Sequence, residues 1–99
     1  MKIELNNVYS IKLVSGEEIV AKVTEETTTY LILSKPLTSI PAREGVQMMP
    51  TLFTSDMEKE FKLNKSAIGI IADTAQEVRD GYIGTTTGIK PVTNRILHG

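Results

Sequence analysis

Cysteine is absent from this chain of 99 residues. Disulfides and thiolate metal sites are therefore excluded, and the composition suits a reducing compartment, so we expect a cytoplasmic protein. Long apolar runs are also missing, since no stretch has the length of a signal-peptide core or of a membrane span. We expect neither export nor contact with a membrane.

The chain lacks a strong charge of either sign. Eleven basic residues stand against twelve acidic ones, which gives a formal net charge of −1. No field over the whole protein would attract nucleic acid, so any binding of RNA or DNA has to be local. We expect the acidic clusters of the chain to be solvated rather than to bind cations.

Groups for catalysis are equally scarce. The one histidine, His98, lies beside the C-terminus, and none of the serines has a histidine in a motif to activate it. The sequence has no phosphate-binding glycine loop and no metal-ligand spacing. We predict that the protein is not an enzyme, has no catalytic residues and holds no cofactor or metal.

Strand patterns fill most of the chain. Apolar and polar residues alternate over 9–14 and over 19–24, and Gly16 between them can take the positive φ of a tight turn. A β-branched and aromatic run over 27–33 predicts a third strand, long and irregular because Pro36 and Pro41 follow it. Runs at 46–53, 61–64 and 67–72 complete five or six strands. This spacing predicts a mainly β fold built as a small barrel.

The last quarter of the chain lacks the strand patterns of the preceding residues. Thr74 and Glu77 have the spacing of a capping box, which predicts a short helix over about 75–83. Residues 84–99 are predicted to be a C-terminal tail, either docked through its apolar residues or flexible. The length fits a single domain, 1–99, with a barrel core over about 8–73.

Two stretches resemble the motifs of the Sm and LSm-like family. The first Sm motif is similar to the pattern Tyr9-x-Ile11-x-Leu13-x-x-Gly16-x-x-Ile19-x-Ala21-x-Val23, where Ala21 stands in place of the usual glycine. The second, an apolar-Arg-Gly turn before the closing strand, is similar to Leu63-Asn64-Lys65-Ser66-Ala67-Ile68-Gly69-Ile70-Ile71. The spacing between them resembles the divergent Sm-like proteins of tailed bacteriophages, including cyanophages. Strand-turn-strand alternation also occurs in SH3-like and OB-like barrels.

The resemblance implies a strongly bent, open five-stranded sheet whose last two strands have free edges. These edges pair between neighbouring subunits and close a cyclic homo-oligomer of about five to seven subunits. Ring closure would also remove the hazard of leaving the apolar runs Val46–Phe53 and Ala67–Ala72 unpaired. The chain departs from the family before the first strand, where only Met1–Val8 are available for the usual helix.

In RNA-binding members of the family, an Asp, an Asn and an Arg hold a base near the pore. Those positions fall here near Glu26, Tyr30 and Asn64, and Lys65 replaces the turn glycine. The resemblance implies that Tyr30 stacks on a base of single-stranded RNA and that Lys65 meets a phosphate. The alternative is that Tyr30 packs in the barrel wall and Lys65 is solvated.

Two functions stay open at this point. The first is a ring-forming RNA-binding or RNA-chaperone module, which the resemblance favours. The second is a structural or adaptor ring of a phage-type assembly that binds no nucleic acid, which the net charge and the incomplete base-binding trio favour. In either case the location implied is the cytoplasm, that of the host cell for a phage-encoded protein.

Overall fold

The computed structural model describes residues 1–87. Six antiparallel strands form one sheet: β1 (Asn7–Leu13), β2 (Glu18–Glu26), β3 (Tyr30–Ala42), β4 (Gly45–Pro50), β5 (Glu60–Asn64) and β6 (Ile68–Asp73). A 3-10 helix at Lys65–Ala67 joins β5 to β6, and helix α1 spans Gln76–Thr86. The predicted mainly β fold, an open sheet with a short C-terminal helix, is confirmed. Neither helix of residues 1–87 combines the length and apolarity needed to cross a membrane.

The third strand, β3, has two partners along the same edge. Residues 30–34 pair with β5, and residues 37–42 pair with β4. At the opposite end of the sheet, β6 pairs with β1. Among the described residues β5 and β6 do not pair with each other, although only a 3-10 turn separates them. The sheet has six strands rather than five because β4 forms a hairpin with the second half of β3.

The third strand is long and irregular, as predicted. Lys35 has a φ of 49°, and the register between β2 and β3 shifts between Val20 and Lys22 and again between Val23 and Glu25. Extra residues of this kind bend a strand and increase its twist. The change of partner from β5 to β4 occurs at this bend, directly before Pro36.

The end of one predicted strand and the predicted cap of the helix are wrong. The fourth strand ends at Pro50, so Leu52 and Phe53 lie in a turn and are 54% and 76% exposed. The helix begins at Gln76 with Ala75 as its N-cap and without a side-chain cap. Thr74 is instead buried, and its hydroxyl lies 2.9 Å from the hydroxyl of Ser10 on β1. The oxygen that was expected to cap the helix therefore links the residue after β6 to the neighbouring strand β1.

The other boundaries follow the patterns closely. Gly16 takes the predicted positive φ, 107°, in the turn between β1 and β2. The helix continues to Thr86, beyond the predicted end at 83. The segment before β1 forms no helix in the described residues. The predicted tail lies for the most part, from residue 88 on, outside the described residues.

The alternation of side chains along the strands produces two buried clusters, one on each face of the sheet. We call them the inner cluster and the outer cluster. The inner cluster consists of Tyr9, Ile11, Ile19, Ala21, Val23, Leu31 and Leu33. The outer cluster consists of Val8, Val20, Leu37, Met48 and, from α1, Tyr82.

Tyr82 attaches α1 to the bend of the sheet. Its hydroxyl accepts the N–H of Lys22 at 3.1 Å and lies 2.8 Å and 3.0 Å from the carbonyl oxygens of Ser34 and Lys35, to which it can donate. These backbone groups flank the register shift and the positive φ, where regular pairing is interrupted. Burial raises the pKa of Tyr82 to about 12, and the bond from the Lys22 amide opposes that rise. One hydroxyl thus satisfies polar groups that the bend would otherwise leave unpaired.

Candidate nucleic-acid interface

The three predicted site residues lie together where β3 begins and β5 ends. Tyr30 and Asn64 are directly opposite each other in the pairing of these strands. Lys65 follows, and its N–H donates to the carbonyl oxygen of Thr29 at 2.8 Å. The turn before Tyr30 is closed by Thr27, whose hydroxyl oxygen accepts the N–H of Tyr30 at 3.0 Å. Backbone pairing therefore fixes the relative positions of all three.

Tyr30 belongs to neither buried cluster. Its neighbour Leu31 points into the inner cluster, so alternation places the half-buried ring of Tyr30 on the other face of the sheet. The ammonium nitrogen of Lys62 lies 4.6 Å from the centre of the ring. An ammonium at that distance is attracted by the π face. The aromatic surface thus has a cation above it.

Sequence reasoning missed Lys62. The signal was present, because Lys62 is two residues before Asn64 on β5 and side chains two apart share a face. The sequence did not indicate the register of β5 against β3. This register places Lys62 opposite Ile32 and therefore diagonal to Tyr30. Diagonal neighbours are within reach of a long side chain.

Lys65 is neither free nor simply solvated. Its ammonium nitrogen lies 2.8 Å from Oε2 of Glu26, and the two side chains are 34% and 35% exposed. Glu26 stands at the end of β2, so the ion pair joins the two turns that border the predicted site. The two residues are 39 positions apart in the chain, so no local sequence pattern predicts this pair.

Asn64 faces solvent. It is exposed, and its side chain does not cap the 3-10 helix that follows. Its amide can therefore donate to or accept from a ligand on the same face as Tyr30 and Lys62. Tyr30, Lys62 and Asn64 form what we call the Tyr30 surface, which offers an aromatic ring, an amide and one ammonium group. Lys65 follows Asn64 in the chain, and its ammonium lies beside this surface, at the ion pair with Glu26.

A cleft of about 250 Å³ lies beside the ion pair, on the open side of the sheet. Besides Glu26 and Lys65, it is lined by apolar residues: Met1, Ile3, Leu31, Ile68 and Ile71. The N-terminal segment is held there by the N–H of Glu4, which donates to the hydroxyl of Tyr9 at 2.8 Å. Side chains of β6 thus border both the cleft and the edge of the sheet.

The edges of β5 and β6 leave the inner cluster incompletely covered. Phe61 and Leu63 on β5 and Ile68 and Ile71 on β6 pack against this cluster but are only half-buried. On the outward side of β6, Ile70 is 65% exposed. Apolar side chains therefore accompany backbone groups that have no strand partner in the described residues on either side of the opening.

Within residues 1–87, no three His, Cys, Asp or Glu side chains come together in a way that could hold a metal ion. Comparison with known proteins does not assign the chain to a family: no family model matches it, and no curated protein matches it.

Proposed function

We propose that the protein is the subunit of an Sm-like homo-oligomeric ring in the cytoplasm, and that the ring binds single-stranded RNA at the Tyr30 surface. The observation that carries the proposal is that β5 and β6, on the two sides of the opening in the sheet, each pair with one strand only among the described residues.

The edges favour self-association for two reasons. Each exposes backbone amides and carbonyls that a second strand would satisfy, and such edges are otherwise a hazard for aggregation. Each also carries half-buried apolar residues that a neighbouring strand would cover. Pairing of β5 with β6 of the next subunit is a heterologous contact, which closes into a ring when the rotation per subunit divides a full turn. The Sm resemblance implies the same pairing, with about five to seven subunits.

The Tyr30 surface supports RNA as the ligand. An aromatic ring accepts any base by stacking, and ammonium groups beside it attract phosphates, which is how proteins bind single strands without reading much sequence. A ring would present one such surface per subunit at the same distance from the axis. Several weak contacts along one strand would then act together.

A second candidate, an adaptor ring that binds no nucleic acid, is favoured by one observation. The ammonium of Lys65 is already paired with Glu26 at 2.8 Å, so the cation proposed to meet a phosphate has a partner within the protein. The net charge of −1 points the same way. The two candidates share the ring and differ only in whether RNA binds.

Light scattering at micromolar concentration tests the ring. We expect a single species of about five to seven subunits. A monodisperse monomer would contradict the ring, and a dimer would show that the edge strands pair in another way.

Fluorescence polarisation with oligo-U and oligo-A at low and moderate salt tests the ligand. Salt-dependent micromolar binding supports RNA, because phosphate contacts release counterions. Tyr30→Ala is expected to weaken binding by about 1–3 kcal/mol for each lost stack, with little change in salt dependence. Lys65→Ala is expected to flatten the salt dependence. Absence of binding at low salt would leave the adaptor ring as the function.

A further inference from the structure

We propose that Glu26 limits how strongly an RNA bound at the Tyr30 surface contacts the neighbouring Lys65, because the carboxylate of Glu26 competes within the protein for the ammonium that a phosphate group would contact. This inference rests on the proposed RNA-binding function and names the residue that limits it.

The ion pair is built into the fold rather than formed by chance between two mobile side chains. Glu26 is paired with Leu31 in the β2–β3 ladder, and the backbone of Lys65 is bonded to Thr29 in the turn between those strands. Both Cα positions are therefore fixed relative to the same turn. The side chains are each about one-third exposed, so water reaches the pair but does not surround it.

The pair discriminates between charged and neutral ligands. A phosphate that approaches Lys65 must either displace the carboxylate of Glu26 or remain beside it, and like charges in contact are unfavourable. A base that stacks on Tyr30 meets neither cost, since stacking does not use the ammonium. Glu26 thus weakens the backbone contacts of a nucleic acid and leaves the contacts of its bases unchanged.

Lys62 does not compensate for this effect. Its ammonium lies 4.6 Å from the centre of the Tyr30 ring, on the aromatic side of the surface, whereas Lys65 stands at the turn beside the cleft. Removing the charge of Glu26 therefore frees one defined cation. The chain offers a matched control, because Glu25 is the preceding residue, is exposed and carries the same charge.

The experiment compares Glu26→Gln with Glu25→Gln in polarisation titrations of labelled oligo-U over a series of salt concentrations, with the full chain. We expect Glu26→Gln to tighten binding about two- to fivefold at low salt, the range that corresponds to the strength of a surface ion pair. The slope of log K against log salt should become steeper by up to about 0.7, one further counterion released from a single strand. Glu25→Gln should change the affinity and the salt slope by much less. Adding Lys65→Gln to Glu26→Gln should abolish the gain.

The outcomes separate this inference from the function on which it rests. If the parent chain binds and Glu26→Gln binds equally well, the role of Glu26 is wrong and RNA binding stands. If the parent chain fails to bind but Glu26→Gln binds, Glu26 acts as proposed and RNA binding by the native protein is wrong. If neither binds, both are wrong. An equal gain from Glu25→Gln would show a general charge effect and would also overturn the role of Glu26. Thermal melts of both variants check that the fold is unchanged.

Discussion

The apolar clusters on the two faces of the sheet are covered in different ways. The outer cluster is closed by α1, which places Tyr82 over it with 2% of the side chain exposed. The inner cluster is closed by the sheet itself and by the N-terminal segment, and it stays open between β5 and β6. Residues 1–87 therefore complete the cover of the outer cluster but leave the inner cluster incompletely covered.

The difference separates stability from assembly. Groups that hold α1 to the outer cluster should determine whether the monomer folds, because all their partners lie within one chain. Groups along β5 and β6 should determine whether subunits associate, because no strand of residues 1–87 pairs with the free edges of β5 and β6. Substitutions on the two faces are expected to affect different measurements.

The largest effect on folding is expected from Tyr82→Ala. This change removes a buried aromatic ring and leaves the amide of Lys22 without its partner, so the free energy of unfolding should fall by about 3–5 kcal/mol. Urea denaturation measures the loss. The neighbouring Ile83→Ala, at a side chain that is 38% exposed on the same helix, is the control and should cost much less. Equal losses would show that the helix, rather than the hydroxyl and ring of Tyr82, closes the cluster.

Ile70→Lys is expected to break the assembly and spare the monomer. Ile70 is 65% exposed on the edge strand β6, so a lysine is tolerated in one chain. In a ring it would remove an apolar contact worth about 1.5–3 kcal/mol per interface and place a charge there. Light scattering should show smaller species, while the circular dichroism spectrum of the folded subunit remains unchanged.

Phe53→Lys is the matched control for this substitution. Phe53 is also apolar and is 76% exposed, but it lies in the turn that follows β4 and not on β5 or β6. It should leave the ring intact. A loss of assembly with Phe53→Lys and not with Ile70→Lys would place the interface elsewhere. The tail substitution Lys90→Glu is likewise expected to leave assembly unchanged.

A pH titration separates the hydroxyl of Tyr82 from its ring. Its pKa in the folded protein is raised to about 12, above an ordinary value of about 10. The unfolded chain therefore releases this proton first as pH rises, so stability is retained below pH 10 and declines between about 10 and 12. A shift of two units corresponds to about 2–3 kcal/mol. Thermal melts at a series of pH values measure the decline. Tyr82→Phe should be less stable than the parent at every pH below 10, but its stability should lack this part of the decline between pH 10 and 12.

The smallest effect is expected from Glu58→Gln. Glu58 forms an ion pair with Lys35 at 3.0 Å, next to the bend in β3, but its side chain is 81% exposed. Exposed pairs contribute between about 0 and 1 kcal/mol, so the unfolding free energy should change by less than that. Glu44→Gln, at an exposed residue in the turn between β3 and β4, is the control. A large loss would mean that this pair, and not Tyr82, stabilises the bend.

The strands could be predicted from sequence because each depends on a local pattern. Alternation places Tyr9 and Ile11 on one face of β1, and it places Ile19 and Ala21 on one face of β2; all four are buried. The helix was predicted for a partly wrong reason. Thr74 has the right spacing for a cap, yet its hydroxyl is used by Ser10, a residue 64 positions away.

Only part of the candidate site could be predicted from the sequence. Tyr30, Asn64 and Lys65 were named because a family resemblance pointed to two turns, and the structure brings them together. The sequence predicted neither the ion pair of Lys65 with Glu26 nor the position of Lys62 above Tyr30. The ion pair depends on the distance between two turns, and the position of Lys62 depends on the register between β3 and β5. Such distances are set by strand pairing over the whole sheet.

By itself, the sequence determined the local conformations: the period-2 strands, the positive φ at Gly16 and the long, proline-interrupted third strand. These follow from side-chain alternation and backbone sterics, which act between residues close in the chain. Only the tertiary structure decided that β3 has two partners, that Tyr82 closes the bend and that, within residues 1–87, β5 and β6 do not pair with each other. These features depend on which distant backbone groups find partners, and hydrogen-bond partners far apart in the chain leave no local pattern to read.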